Sequence, residues 1–207
     1  MPEQKENMPN RSEAEKILLW AETKNPGKWI KHSFNVAKTA ETIAKKCSLN
    51  NNSAYVLGLL HDIGRYEGKT NLRHIYTGYN FMREKGYNEI ARVCLTHSFP
   101  YKNIASFVGV TDCSKKEIEY LENELELVEY DDYDRLIQLC DALGSAEGIC
   151  LLETRWIDII RRYGVNKYFK EKIEKTYEIK KYFEKKCNGD IYELFKKEII
   201  ENIFAHG

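Results

Sequence analysis

Gly58-Leu59-Leu60-His61-Asp62-Ile63-Gly64 is an apolar run that delivers a histidine and an aspartate and is then stopped by glycine. Two side chains of the metal-ligating kind thus sit where a buried helix would end. Leaving an unpaired carboxylate among leucine and isoleucine costs several kcal/mol. Asp62 therefore meets a cation or a hydrogen-bond network, or it turns back to water. A metal ion would satisfy His61 and Asp62 together.

Working upstream, residues from Ala54 to about Asp62 are apolar nearly all round, which predicts a central helix. Asn50-Asn51-Asn52-Ser53 separates it from a helix over Trp29 to Cys47, whose apolar positions Val36, Ala40, Ile43, Ala44 and Cys47 recur at spacings of three and four. His32 falls in the opening turns of that helix. Before it, Ser12 and Glu15 read as a capping box for a first helix through Ile17, Leu18 and Trp20 to about Thr23, broken by Asn25-Pro26-Gly27. Residues 1 to 11 carry two prolines and several charges without an apolar period, so a mobile arm is expected there.

Downstream, a polar loop with Gly64, Gly68 and Asn71 leads to His74, which opens a short helix to Lys85 ended by Gly86. Another helix runs from Asn88 to His97, where Pro100 forbids much continuation. Residues 98 to 113 hold aromatics and glycine without a period, the mark of a long loop that often carries function. Ser114 and Glu117 form a second capping box for a charged helix to about Leu127. From about Asp132, Leu136-Ile137-Gln138-Leu139-Cys140-Asp141-Ala142-Leu143-Gly144 repeats the opening pattern, an apolar helix with an acidic residue in it and a glycine three positions after a ligand-type side chain, Gly144 after Asp141 as Gly64 after His61. Beyond Leu151 the periodic positions Trp156, Ile159, Phe169, Ile173, Phe183, Ile191, Leu194 and Ile199 predict helix to the end, with Asn188-Gly189-Asp190 dividing the last two. His206 reads as tail. No stretch alternates as a strand does, so the expected class is all-α.

The bulk numbers narrow the function. A chain of 207 residues supports one domain, here residues 12–207. The 32 basic and 32 acidic residues give no overall field toward nucleic acid or an anionic membrane, so any phosphate site is local. Apolar runs fall short of the roughly 18–20 residues of a membrane span, and Met1 to Glu13 is too polar for a signal sequence, so a cytoplasmic protein is expected. The six cysteines form no C-x-x-C pair and read as ordinary reduced thiols, most of them small core residues. Cys94 and Cys140 in particular have apolar neighbours that suit inert thiols. Lys167 to Lys186 interleaves lysine with glutamate at helical spacing, which reads as a solvated face.

The order His32, His61-Asp62, Asp141 resembles the H…HD…D signature of the HD superfamily of metal-dependent phosphohydrolases, and Leu60 to Gly64 reads L-H-D-I-G, a common form of its central motif. The resemblance covers about residues 28 to 145. It implies an all-α HD bundle, with further helices over about 152–207 appended. It also implies a first metal held by His32, His61, Asp62 and Asp141, and a second that adds His74 and His97, with Asp62 bridging. Mixed nitrogen and oxygen ligands suit Mn, Fe, Co, Ni or Zn, and Mg less well, for one or two divalent ions.

Branches of the superfamily differ from this chain at identifiable places. Alarmone hydrolases usually carry an acidic pair soon after the HD, where this chain has Arg65-Tyr66, and Gly78-Tyr79 is followed by Asn80 rather than the proline of the cyclic-dinucleotide phosphodiesterases. The six-ligand pattern is nearer to the symmetrical dinucleoside tetraphosphate hydrolases. The expected activity is hydrolysis of a phosphoester in a nucleotide or another small phosphorylated molecule, with Asp62 and Arg65 as catalytic residues and Arg65 gripping phosphate. From the loop after His97, Tyr101 and Lys102, with Phe99 and Phe107, are expected to meet base and phosphate. The competing reading is a non-catalytic helical module that binds metal or nucleotide for regulation. The complete ligand set favours the enzyme. Neither a nucleic-acid nor a membrane partner is expected, and the sequence does not indicate an oligomeric state.

Overall fold

The computed structural model describes residues 8–205; the remainder of the expected arm, residues 1–7, and the tail residue His206 lie outside the described residues. Eleven α-helices are present among them: α1 (Arg11–Lys24), α2 (Lys28–Lys46), α3 (Asn51–Leu60), α4 (Arg73–Glu84), α5 (Asn88–Thr96), α6 (Lys115–Leu127), α7 (Asp132–Leu143), α8 (Leu152–Tyr163), α9 (Phe169–Cys187), α10 (Ile191–Leu194) and α11 (Lys196–Ala205). Two short 3-10 helices cover Ile63–Glu67 and Ile104–Ser106. No strand occurs among the described residues, where an isolated bridge joins Gly144 to Ile149. The fold is all-α, as the periodicity requires. None of these helices is long and apolar enough to cross a membrane.

Helix starts differ from expectation where asparagine caps were overlooked. α1 is capped by Asn10, not Ser12: its side chain accepts from the amide of Glu13, whose carboxylate returns the bond. Met8 packs on the core and Pro9 is buried, so the described end of the expected arm is folded down. Likewise Asn50 caps α3 by accepting from Ser53 N at 3.0 Å, so the asparagine run expected to separate two helices is the first turn of one. Asparagine accepts these bonds as well as serine does. The box at Ser114 and Glu117 forms as expected, and Asp131 with Asp134 caps α7 in the same way.

α3 lies at the centre, with every residue from Ala54 to Leu60 buried. It presses against α2 so closely that a Cβ on Gly58 would stand 2.9 Å from Ala37 Cα. That approach needs a residue without a side chain. Gly64, in the 3-10 turn that follows, is under a tighter restriction: a Cβ there would come within 2.0 Å of the His74 carbonyl oxygen and 2.5 Å of Gly78 N. The turn and α4 are thus locked backbone to backbone.

The C-terminal helices close the bundle on one side, with α9 packed against α7 and α2. Cys47, at the end of α2, is disulfide-bonded to Cys187, the last residue of α9. The expectation of reduced thiols throughout is therefore corrected, because two cysteines 140 positions apart give no spacing signal for a pair. Cys94 and Cys140 are free and buried, and burial raises the pKa of each thiol, which leaves them inert.

Two outcomes follow from this packing. Closing so long a loop contributes about 2–5 kcal/mol by the chain-entropy account, so the paired change Cys47→Ser and Cys187→Ser should lower the urea midpoint accordingly. Unchanged midpoints with and without reductant would show that the bond adds nothing. Gly64→Ala should cost several kcal/mol through collision with fixed backbone, whereas Gly189→Ala, with nothing near its added methyl group, should shift thermal unfolding little.

Candidate metal centre

Five helices bring their ends or first turns to one point. His61 caps the C-terminus of α3 and Asp62 follows it, His97 caps α5, His74 stands in the first turn of α4, His32 in the second turn of α2, and Asp141 near the end of α7. All six residues expected as ligands are gathered here. His61, Asp62, His74 and His97 are at most 3% exposed, and His32 is 9% exposed.

The distances divide the cluster into two groups that share Asp62. His32 Nε2 lies 2.9 Å and His61 Nε2 3.5 Å from Asp141 Oδ1, while His61 Nε2 is 3.9 Å from Asp62 Oδ2. On the other side, His74 Nε2 and His97 Nε2 stand 3.0 and 3.6 Å from Asp62 Oδ1, and 3.3 Å from each other. Ligand atoms of His32, His61 and Asp62 fall within 4.8 Å of one another, and so do those of Asp62, His74 and His97.

The backbone sets the histidine rings. Nδ1 of His61 donates to the Gly58 carbonyl at 2.7 Å, that of His97 to the Cys94 carbonyl at 2.9 Å, and that of His74 to the Asn71 carbonyl. Each bond places the proton on Nδ1 and leaves the Nε2 lone pair facing the cluster, the arrangement that metal-binding histidines use. Behind His97, the Thr96 hydroxyl donates to the buried Asp134 at 2.7 Å and Gln138 holds the Thr96 carbonyl at 3.0 Å. α7 thereby fixes the end of α5.

The electrostatics suit a cation. Burial alone would raise Asp62, yet the Arg65 guanidinium, then His74 and His61, hold its carboxyl well below the usual range. Asp141 is held low in the same way by its hydrogen bond to His32 and by the neighbouring His61 ring. Desolvation lowers His32, lowers His74 with help from Arg65, and takes His97 to about 3, so these three rings are neutral at pH 7. His61 is raised, because Asp62 and Asp141 outweigh its burial. His61 Nε2 and Asp62 Oδ1 are nevertheless buried without a hydrogen-bond partner among the described residues. Two orphaned acceptor-type atoms in a nitrogen and carboxylate donor set fit a divalent ion.

The cluster opens into a cleft of about 510 Å³. A larger hollow of about 1000 Å³ lies between α2 and α11 and contains no histidine. Arg65 lines the cleft, its Nε donating to Asp62 Oδ2 at 2.5 Å and its Nη1 to the Thr70 carbonyl at 3.1 Å. Phe107 is there too, its ring 6.4 Å from that of His74. Tyr101 and Lys102 are not. Tyr101 leans on Tyr168, and Lys102 donates to the Glu126 carbonyl at 2.9 Å, so the loop turns these two away and presents Phe107 and Val108 instead. The fully buried Phe99 is a core residue.

Sequence reasoning missed Arg155 of α8 and Lys172 of α9, which line the same cleft. Lys172 was expected on a solvated face, but its Nζ donates to the Ser98 carbonyl at 2.9 Å, next to His97. The available signal was its register: Phe169, Lys172, Thr176, Ile179 and Phe183 follow one stripe of α9, and all but the lysine are buried. A lysine in that stripe faces inward.

Comparison with known proteins agrees with this arrangement. No curated protein and no solved structure matches the chain. The HD domain family model, however, matches residues 29–146, more than half of the chain. That span runs from the first turn of α2 to just past Asp141 and so takes in all six clustered residues, and the chain belongs to the HD domain family.

Proposed function

We propose that the chain is a metal-dependent phosphohydrolase that acts on a nucleotide or another small phosphorylated molecule. The observation that carries the reading is Asp62, one buried carboxylate placed between two histidine groups, each with a ligand set of its own. A regulatory module needs no shared carboxylate of this kind. His32, His61, Asp62 and Asp141 would hold one divalent ion, Mn, Fe, Co, Ni or Zn, and Asp62, His74 and His97 a second. Bound ions of this type supply Lewis-acid chemistry, lowering the pKa of water and stabilising charge on a phosphoryl group.

The chain's own residues do the rest. Arg65 aligns Asp62 through its Nε while its Nη1 is anchored on the Thr70 carbonyl, and its guanidinium edge in the cleft is available to a phosphate oxygen. Phe107 offers an apolar face beside His74 for a base or another flat group. The backbone bonds to Nδ1 of three histidines keep the ligand set in place before substrate arrives, which lowers the reorganisation cost of the reaction.

Two measurements test the reading. Metal analysis of the protein purified with manganese or iron should find two ions per chain, falling to about one in His97→Ala and to none or a trace in Asp62→Ala; an Asp62→Ala protein with full metal content would sink the bridging role. In a screen of mono-, di- and dinucleotide phosphoesters, Asp62→Ala should lower kcat/KM by at least about a thousandfold and Cys140→Ala should change it little. Wild-type turnover in the Asp62 variant would remove the cluster from the chemistry.

A further inference from the structure

Five cationic side chains line the cleft that holds the cluster: Lys28, Arg65, Arg155, Arg162 and Lys172. Three of them are matched by a carboxylate. Arg65 pairs with Asp62 at 2.5 Å, Arg162 with Asp158 at 2.5 Å and Lys28 with Glu147 at 2.8 Å. Arg155 and Lys172 have no carboxylate within ion-pair distance among the described residues, and Arg155 Nε is buried without any hydrogen-bond partner. Lys172 spends one of its three protons on the Ser98 carbonyl, which leaves two.

Two cations that face one cleft with no ion-pair partner in contact repel each other, and burial adds to the cost. At Lys172 burial, with a smaller contribution from the Arg155 charge, brings the ammonium down to about 8 even though Asp141 across the cleft pulls the other way. An anion between them removes both penalties. Their position is held on both sides: Lys172 is pinned beside His97 through Ser98, and Asn166, in the connection between α8 and α9, donates to the Phe107 carbonyl at 2.8 Å. The wall they form is therefore built onto the loop that borders the histidine cluster.

We infer that Arg155 and Lys172 form a second phosphate subsite, so that the cleft takes substrates with a further phosphoryl group beyond the one at the His and Asp cluster. The inference rests on the phosphohydrolase reading for the role of that cluster. Both residues lie outside the span matched by the family, residues 29–146, so the subsite belongs to this chain's C-terminal helices rather than to the domain as such. A diphosphate or bis-phosphorylated ester satisfies both ends of the cleft, whereas a simple monoester leaves the distal pair unpaired. The size of the cleft, about 510 Å³, accommodates such a molecule.

The test separates the subsite from the reaction. Inorganic pyrophosphate is titrated calorimetrically into metal-depleted protein, where no turnover occurs. Arg155→Gln and Lys172→Gln should each weaken binding about tenfold, the loss of one charge-assisted hydrogen-bonding partner. Lys172→Arg should restore most of the affinity, and Lys170→Gln, on the exposed side of α9, should leave it unchanged. In metal-loaded enzyme the two glutamine variants should raise KM for a nucleoside diphosphate more than they lower kcat. Equal pyrophosphate affinity in wild type and both glutamine variants, each folded by circular dichroism, would overturn the subsite, as would a wild-type protein that does not bind pyrophosphate. If affinity falls as expected but no metal supports hydrolysis of any phosphoester, the phosphohydrolase reading fails and the subsite stands.

Discussion

A carboxylate kept ionised in an apolar interior is the constraint on which this structure turns. Asp62 is 3% exposed, and its charge is tolerable only because Arg65, His74 and His61 surround it. Each of those neighbours must be delivered from a different element at close range. The short C-terminal half of α3, the glycine after it and the 3-10 turn are consequences of that delivery, since a longer helix would carry Asp62 past α4 and any side chain at position 64 would push α4 away. The fold is arranged so that backbone meets backbone where side chains must meet one ion.

Much of this was legible in the sequence because the same physics writes both. An almost wholly apolar segment from Ala54 to Leu60 marks a central helix, and a histidine and an aspartate at its end single out the place of the site, although the segment alone leaves Asp62 free to meet a cation or hydrogen-bond network or to turn back to water. His32 and Asp141 were legible through the resemblance of their order to a known signature. Local reading was weaker where one residue type has two uses. Asparagine breaks helices and also caps them, which is why α3 begins at Asn51 rather than at Ala54.

Long-range pairings were the hardest to see. Nothing near Cys47 points to Cys187, and nothing near Tyr101 says that the loop will rotate it toward Tyr168 while turning Phe107 inward. Such choices are settled by how whole helices pack, and a periodicity argument carries no information on them. Lys172 is the instructive intermediate case. Composition describes its helix as a charged surface element, yet its place in the stripe with Phe169 and Phe183 already marks it as inward.

α9 has different duties at its two ends. Its C-terminus is bonded to α2 through Cys187, and Lys172 stands about 22 Å away along the axis at 1.5 Å per residue. A rod fastened at one end transmits rotation faithfully. Inserting or deleting a single residue between the anchor and Lys172 would swing that lysine about 100° around the helix and out of the cleft, with every contact near Cys187 preserved. The number of residues in α9, as much as their identity, therefore belongs to the specification of the cleft, and point substitutions alone do not sample that variable.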